Sequence, residues 1–195
     1  MMHPNTQVRF ISGAIGCGVF ATEFIPKGTI VYVKDALELE VSADHYAQLA
    51  PVLQQAVEKY SYIDERGYRI LSWDHAKYVN HCCNCNTLST GYGFEIAIRD
   101  IYPDEEITDE YGMFNLEEEM SLFCGQPNCR KKVGKYDLDT YFTEWDKKVQ
   151  CALATLKDVS QPLYPLIDSG VKEDLELYLS HLSEYRSVRE LKFQE

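Results

Sequence analysis

Three short stretches hold side chains whose types and spacing could do chemistry. The first is Gly16-Cys17-Gly18, followed by Ile25-Pro26-Lys27-Gly28-Thr29. With no Cβ in the way, a backbone at paired glycines can come close to a ligand. The same pattern also serves as a plain turn beside a strand, and the spacing of a Rossmann phosphate loop is absent. The second stretch runs from Tyr78 to Asn86, where Asn80 and His81 stand side by side among Cys82, Cys83 and Cys85. Asn and His together can pin a loop through side-chain bonds to backbone. The third is Asp104 to Gly112, an acidic turn leading into a short strand that ends on Tyr111. A solvated charge run and a packed ring are the plainer reading of that last stretch.

Seven cysteines are an odd number, and five of them form two local groups: Cys82, Cys83 and Cys85, then Cys124 and Cys129. Pairing within Cys82-Cys83-Asn84-Cys85 would need strained geometry. Reduced thiols fit better, with metal binding open.

The elements that must position these residues follow from hydropathy patterning. Val8 to Ile11, Gly18 to Ala21 and Thr29 to Val33 alternate between apolar and turn residues, which predicts short strands separated by glycine turns. Residues 42 to 60 change to helical spacing, and Pro51 divides them into two short helical pieces. Tyr60 to Leu71 predicts a hairpin around Glu65-Arg66-Gly67, and Phe94 to Ile98 a further strand. Residues 137 to 157 and 171 to 192 predict amphipathic helices joined by a linker with Pro162, Pro165 and Gly170. The expected fold class is mostly β with helical insertions, a β-rich α+β body with helices appended late.

A chain of 195 residues with 45% hydrophobic content can build its own core. No run approaches 18 apolar residues, so membrane spanning is not expected, nor does the start of the chain suggest secretion. The formal charge of −12 would repel a phosphate backbone, so direct nucleic-acid binding is not expected. The same field would attract a basic peptide or protein, and its plainest reading is solubility.

Taken together, the order and spacing of the three stretches resemble the SET domain, the fold of protein-lysine methyltransferases that use S-adenosylmethionine. The family's glycine motif resembles Gly16-Cys17-Gly18. Its Asn-His-Ser-Cys-x-Pro-Asn motif resembles Asn80 to Asn86, and its Glu-Leu-x-x-x-Tyr motif resembles Glu106 to Tyr111. Cys124-Gly125-Gln126-Pro127-Asn128-Cys129-Arg130 resembles the post-SET segment. The resemblance implies a pseudoknotted β fold: a SET domain over 7–118 with a helical insert at about 40–60, a post-SET segment over 119–133, and a C-terminal helical extension over 134–195. That extension could pack on the body, form a dimer face or close the cofactor groove.

The resemblance also implies roles. The backbone at Gly16, Cys17 and Gly18 would face the methionine part of S-adenosylmethionine, with Asn80 and His81 holding the cofactor by side-chain and backbone bonds. Lys77 would pair with the cofactor carboxylate, and Tyr62 would lie at the cofactor edge. Tyr111 would be the catalytic residue, orienting the amine and the methyl group. A lysine of pKa about 10.4 must lose its proton before it can attack, and an apolar channel beside a sulfonium favours that loss. The substrate would be a histone tail or another basic protein, and the compartment nuclear in a eukaryote and otherwise cytoplasmic. Glu105, Glu106, Asp109 and Glu110 would bring negative charge to the peptide entrance.

Departures from the family pattern are Cys82 for Ser, Cys85 for Pro, and Asp109 where many relatives carry the Phe or Tyr that helps set the number of methyl groups. The family's zinc site takes the Cys of the Asn-His motif and three from the post-SET segment. Cys83, Cys124 and Cys129 match, but Leu122 occupies the first post-SET position. Three thiolates leave one tetrahedral position open. Cys85, Cys82 or a residue outside the motif could fill it, and a metal-free hairpin is the other expectation. Two other functions stay open: a silent SET module that binds a basic peptide, and a zinc-dependent scaffold.

Overall fold

The computed structural model describes residues 1–194. A four-stranded sheet, in order β1-β2-β10-β7, carries the glycine pair, the Asn-His pair and the approach to Tyr111. Strand β1 (Thr6–Ser12) and strand β2 (Gly16–Ala21) form an antiparallel hairpin in which Arg9 opposes Gly18. The short strand β10 (Glu106–Asp109) adds antiparallel to β2, and β7 (Asn80–His81) adds parallel to β10, with Thr108 opposite Asn80 and Asp109 opposite His81. A parallel pair of two residues so far apart in sequence means that one segment has been passed against the other, not turned back in a hairpin.

Strand β3 (Ile30–Val33), β8 (Thr87–Ser89) and β9 (Phe94–Ala97) form a second sheet in order β3-β9-β8. All four residues of β3 are buried because it lies between two cores. Ile30 and Val33 face one core, and Val31 and Tyr32 face the other with Val19, Ile101 and Ile107. Strand β4 (Leu39–Val41), β5 (Ser61–Ile63) and β6 (Arg69–Leu71) make a third sheet that encloses the helical insert. The insert is two pieces, as expected: α1 (Ala43–Gln48), capped by Ser42, and α2 (Pro51–Tyr60), with Pro51 in its first turn. The β5–β6 hairpin turns at Gly67, whose φ of 79° suits a residue without a Cβ.

Strands β11 (Met120–Ser121) and β12 (Lys132–Val133) pair into the hairpin that holds Cys124 and Cys129. Helix α3 (Asp137–Leu153) then buries Leu138, Trp145, Val149, Ala152 and Leu153 along one face, against Phe94, Ile96 and Leu88 of the second sheet. At about 1.5–3 kcal/mol per fully buried large apolar side chain, this face is an integral part of the body's core. Of the three uses open to the extension, packing on the body is the one observed.

Helix α4 (Ser169–Leu179) starts at Asp168, which accepts from the amides of Gly170 and Val171. The helix expected over 171–192 ends here instead. Ser180 caps it, His181 takes a left-handed φ of 59°, and Leu182 is exposed, so the helix stops although the apolar spacing runs on. A 3-10 turn over Val188–Leu191 is the only further helical piece described. Among the described residues no helix is long and apolar enough to cross a membrane.

Candidate active site

The crossing of β7 and β10 is held by side chains from the Asn-His motif. Asn80 Nδ2 donates to the Cys17 carbonyl at 3.0 Å and to Glu106 Oε1 at 2.8 Å, so one amide ties β7 to both β2 and β10. Asn86, fully buried, accepts from the Thr108 amide at 2.8 Å and donates to the Glu106 carbonyl at 2.8 Å. A Cβ on Gly18 would stand 2.5 Å from Glu106 Oε1 and 3.0 Å from Asn80 Nδ2. A side chain at 18 would therefore displace the Glu106 and Asn80 ends that make the crossing. Gly16 differs: its φ is 87°, and open space lies where a Cβ would be.

Tyr111 begins the 3-10 turn that follows β10. Its amide donates to His81 Nδ1 at 3.2 Å, and its hydroxyl donates to the Val79 carbonyl at 2.7 Å. Its ring packs on His81 and on Phe114, with centroids 5.5 and 5.7 Å away. Burial, with the charge of Arg130, brings His81 down to about 4, so the ring is neutral at pH 7. Because Nδ1 accepts, the ring proton is assigned to Nε2, which faces the Cys83 sulfur at 3.4 Å. Burial, reinforced by Asp109 and Glu95, raises the Tyr111 phenol well above its ordinary value, so its hydroxyl stays a donor.

A cleft of about 820 Å³ opens beside Tyr111. Tyr62, Lys77 and Val79 line it near the tyrosine, and Glu95 and Asp109 lie at its floor. Lys77 Nζ reaches the carbonyls of Ser72 and Trp73 at 3.4 Å, which leaves it loosely held. Tyr62 packs on Phe114 with centroids 5.2 Å apart.

Negative charge does reach the mouth of this cleft, but from other residues than those expected. Glu58, Glu117, Glu118 and Glu119 line it together with Lys59 and Arg69, and Glu117 pairs with Arg69 and Glu119 with Lys132. Glu110 is buried against Arg130, Glu105 pairs with Arg99, and Glu106 is bonded to Asn80, so of the expected four only Asp109 lines the cavity. The acidic run turns inward because β10 threads through the body and does not follow its surface.

Glu95 was not singled out by sequence. In Phe94-Glu95-Ile96 it sits where alternation predicts a solvent-facing residue, yet that face of β9 borders the cleft.

The thiols of Cys83, Cys124 and Cys129 lie within 4.8 Å of one another, and Cys83 and Cys129 are 4.0 Å apart. Thiolates at a Zn–S distance of about 2.3 Å around a tetrahedral ion would be about 3.8 Å apart, so these three fit a zinc ion. Burial alone would raise Cys124, but hydrogen bonds from the Cys83 and Gln126 backbone and the neighbouring thiols bring it down to about 7. Cys85 stands outside this cluster among the described residues, and Cys82 neighbours the Cys124 thiol without lying within 4.8 Å of all three. Cys85 is buried, which raises its thiol further, and Leu122 at the remaining family position is buried too. The fit is thus to three ligands.

Residues 16–112 match the SET domain family. This chain is a SET-domain protein. The match begins at the first glycine of Gly16-Cys17-Gly18 and ends one residue past Tyr111, so it takes in the glycine pair, the Asn-His motif and the tyrosine turn. The histone-lysine N-methyltransferase trr of Drosophila melanogaster is 30% identical over 129 residues, which are 60% of this chain and 5% of that protein. The chain thus spans about a twentieth of the length of that curated relative. A Plasmodium falciparum protein crystallised as a candidate histone methyltransferase is 20% identical, with a TM-score of 0.41 over 56% of this chain and 95% of its own. The KRYPTONITE complex with mCHH DNA, an H3(1–15) peptide and SAH is 22% identical, with a TM-score of 0.46 over 68% of this chain and 30% of its own.

Within the SET domain, the expected site residues fall into two joined groups. Tyr111, Tyr62 and Lys77 share the cleft. Asn80 and the Gly16–Gly18 strand are linked through the Cys17 carbonyl, and His81, next to Asn80 in β7, joins this group to the first through the Tyr111 amide.

Proposed function

We propose that this SET domain transfers methyl groups from S-adenosylmethionine to the side-chain amine of a lysine in a basic protein, a histone tail being the substrate of first choice. The observation that carries the reading is Tyr111, held at both its amide and its hydroxyl beside a cleft of about 820 Å³.

S-adenosylmethionine would supply a methyl group on a sulfonium, electrophilic without further activation. What remains for the protein is alignment, exclusion of water and a setting that keeps the amine uncharged. Tyr111 contributes a fixed hydroxyl and ring. Val79 holds that hydroxyl in place, and His81 fixes the turn from behind. The open space at Gly16 leaves room for a ligand against the backbone, which fits the cofactor there, with Cys17, Gly18, Asn80 and His81 as its nearest neighbours. Lys77 has no carboxylate partner among the described residues and would meet the cofactor's carboxylate, with Tyr62 at the cofactor's edge. The acidic mouth draws a basic segment, and a histone substrate would place the protein in a nucleus. Cys83, Cys124 and Cys129 would hold a structural zinc that fixes the post-SET hairpin over the site.

The test is transfer of labelled methyl from S-adenosylmethionine to mixed histones and to a lysine peptide, alongside calorimetry with SAH. Label in lysine together with SAH binding is expected. SAH binding without label on any basic protein would turn the reading to a silent peptide-binding module.

A further inference from the structure

Two carboxyl groups meet at the floor of the cleft, and no motif accounts for them. Asp109 is only 1% exposed; its Oδ1 accepts from the Glu110 amide at 2.7 Å, and its Oδ2 has no partner. Glu95 lies beside it from β9, and both line the cavity with Tyr111. Neighbouring carboxylates of which one is buried and the other half-buried resist ionising together, so the pair favours holding one proton and one negative charge. It presents acceptor oxygens to a cavity that a lysine would enter.

Resting on the methyl-transfer reading above, we propose that the Asp109–Glu95 pair is the proton acceptor for the substrate lysine. One N–H bond of the incoming ε-ammonium breaks and an O–H bond forms on the pair, which goes from a charge of −1 to neutral. The freed electron pair on nitrogen then attacks the methyl carbon as the carbon–sulfur bond breaks. The proton passes to water in the cleft as the methylated product withdraws.

The neighbouring groups leave this role to the pair. The Tyr111 hydroxyl donates to Val79, and burial keeps it protonated. The His81 Nδ1 is occupied by the Tyr111 amide. Glu110, on the turn, is held by Arg130, and Glu106, on β10, by Asn80. Tyr32 on β3 and Tyr62 on β5 are phenols raised by burial, and the buried Cys85 thiol is raised as well. Burial lifts Glu95 to about 7, with Asp109 and the N-terminal ammonium opposing the rise, while Asp109 is lifted well above its ordinary value. A base near the working pH is the effective kind.

Asp109→Asn and Glu95→Gln keep size and remove charge, and melting temperature and SAH affinity report whether each variant is intact. At pH 7, single-turnover methylation of a lysine peptide by D109N should fall about 100-fold. It should recover as pH approaches the ordinary lysine value of about 10.4, where solvent deprotonates the amine, while Tyr111→Phe stays slow throughout. Apart from turnover, the wild-type protein at pH 7 should bind the lysine peptide about tenfold more tightly than its norleucine analogue, and the double variant should lose that preference. A wild-type rate in D109N at pH 7, or a loss that no pH restores with the lysine preference intact, overturns the proposal. If the wild-type protein binds no SAH and transfers no methyl, the methyl-transfer reading fails, and the lysine preference alone then decides whether the pair receives an ammonium.

Discussion

Arg130 Nη2 lies 2.5 Å from Oε1 of Glu110, a carboxylate whose side chain is 3% exposed. The same oxygen accepts from the Gly112 amide at 2.9 Å, so the post-SET arginine braces the turn that carries Tyr111. The guanidinium also lies over the Tyr141 ring at 4.8 Å, which joins helix α3 to the same point. One side chain thus couples the cysteine hairpin, the tyrosine turn and the C-terminal helices.

Removing that arginine strands a buried carboxylate. Arg130→Met should cost about 3–5 kcal/mol of stability, whereas Arg130→Met with Glu110→Gln should recover part of the loss. Urea unfolding of the three proteins checks this, and equal stabilities would show the pair to be without structural weight.

The carboxyl pair and His81 act on the pH dependence of stability in opposite directions. Glu95, raised to about 7, makes the folded state hold the extra proton, so stability falls as pH rises from about 4.5 to 7. His81, lowered to about 4, makes the unfolded state hold the extra proton, so stability rises as pH climbs from about 4 to 6.5. Asp109, lifted well above its ordinary value, adds to the fall, so the histidine opposes only part of it. Glu95→Gln removes one falling contribution, so the variant's stability should rise relative to that of the wild-type protein as pH climbs from about 4.5 to 7. Parallel wild-type and variant curves would contradict the assignment.

Much of this arrangement is legible in the sequence, and what is not has physical reasons. The strands of the body and the break at Pro51 follow from local patterning, because period and proline geometry act within a few residues. The pairing of Asn80 with the Cys17 carbonyl does not, since it depends on threading two segments 63 residues apart. The end of α4 at Leu179 was hidden because Tyr185, Val188 and Leu191 continue a helical spacing, although Tyr185 packs from a loop and Val188 and Leu191 from a separate 3-10 turn. Glu95 was hidden because alternation separates two faces of a strand but does not say which of them borders a cleft.

The cysteine hairpin makes a metal prediction. Protein purified without chelator should contain about one equivalent of zinc, and Cys83→Ser should lower that content and speed proteolysis within 119–133. Elemental analysis giving under about a tenth of an equivalent would favour a metal-free hairpin.

The acidic mouth makes a charge prediction. Affinity for a Lys/Arg-rich peptide should weaken steeply as salt rises from about 0.1 M to 1 M, where the Debye length shrinks from about 10 to 3 Å. Replacing Glu117, Glu118 and Glu119 together with Gln should flatten that dependence and leave SAH affinity unchanged. A flat salt dependence in the wild-type protein would reduce the acidic surface to a solubility feature.

The measurement closest to the central claim is single-turnover methyl transfer by Tyr111→Phe, with SAH affinity followed on the same protein. The phenylalanine keeps the ring against His81 and Phe114 but loses the hydroxyl that Val79 holds. If Tyr111 aligns the reacting groups, the rate should drop about 100-fold while SAH affinity stays within about twofold. A rate near that of the wild-type protein would contradict the account.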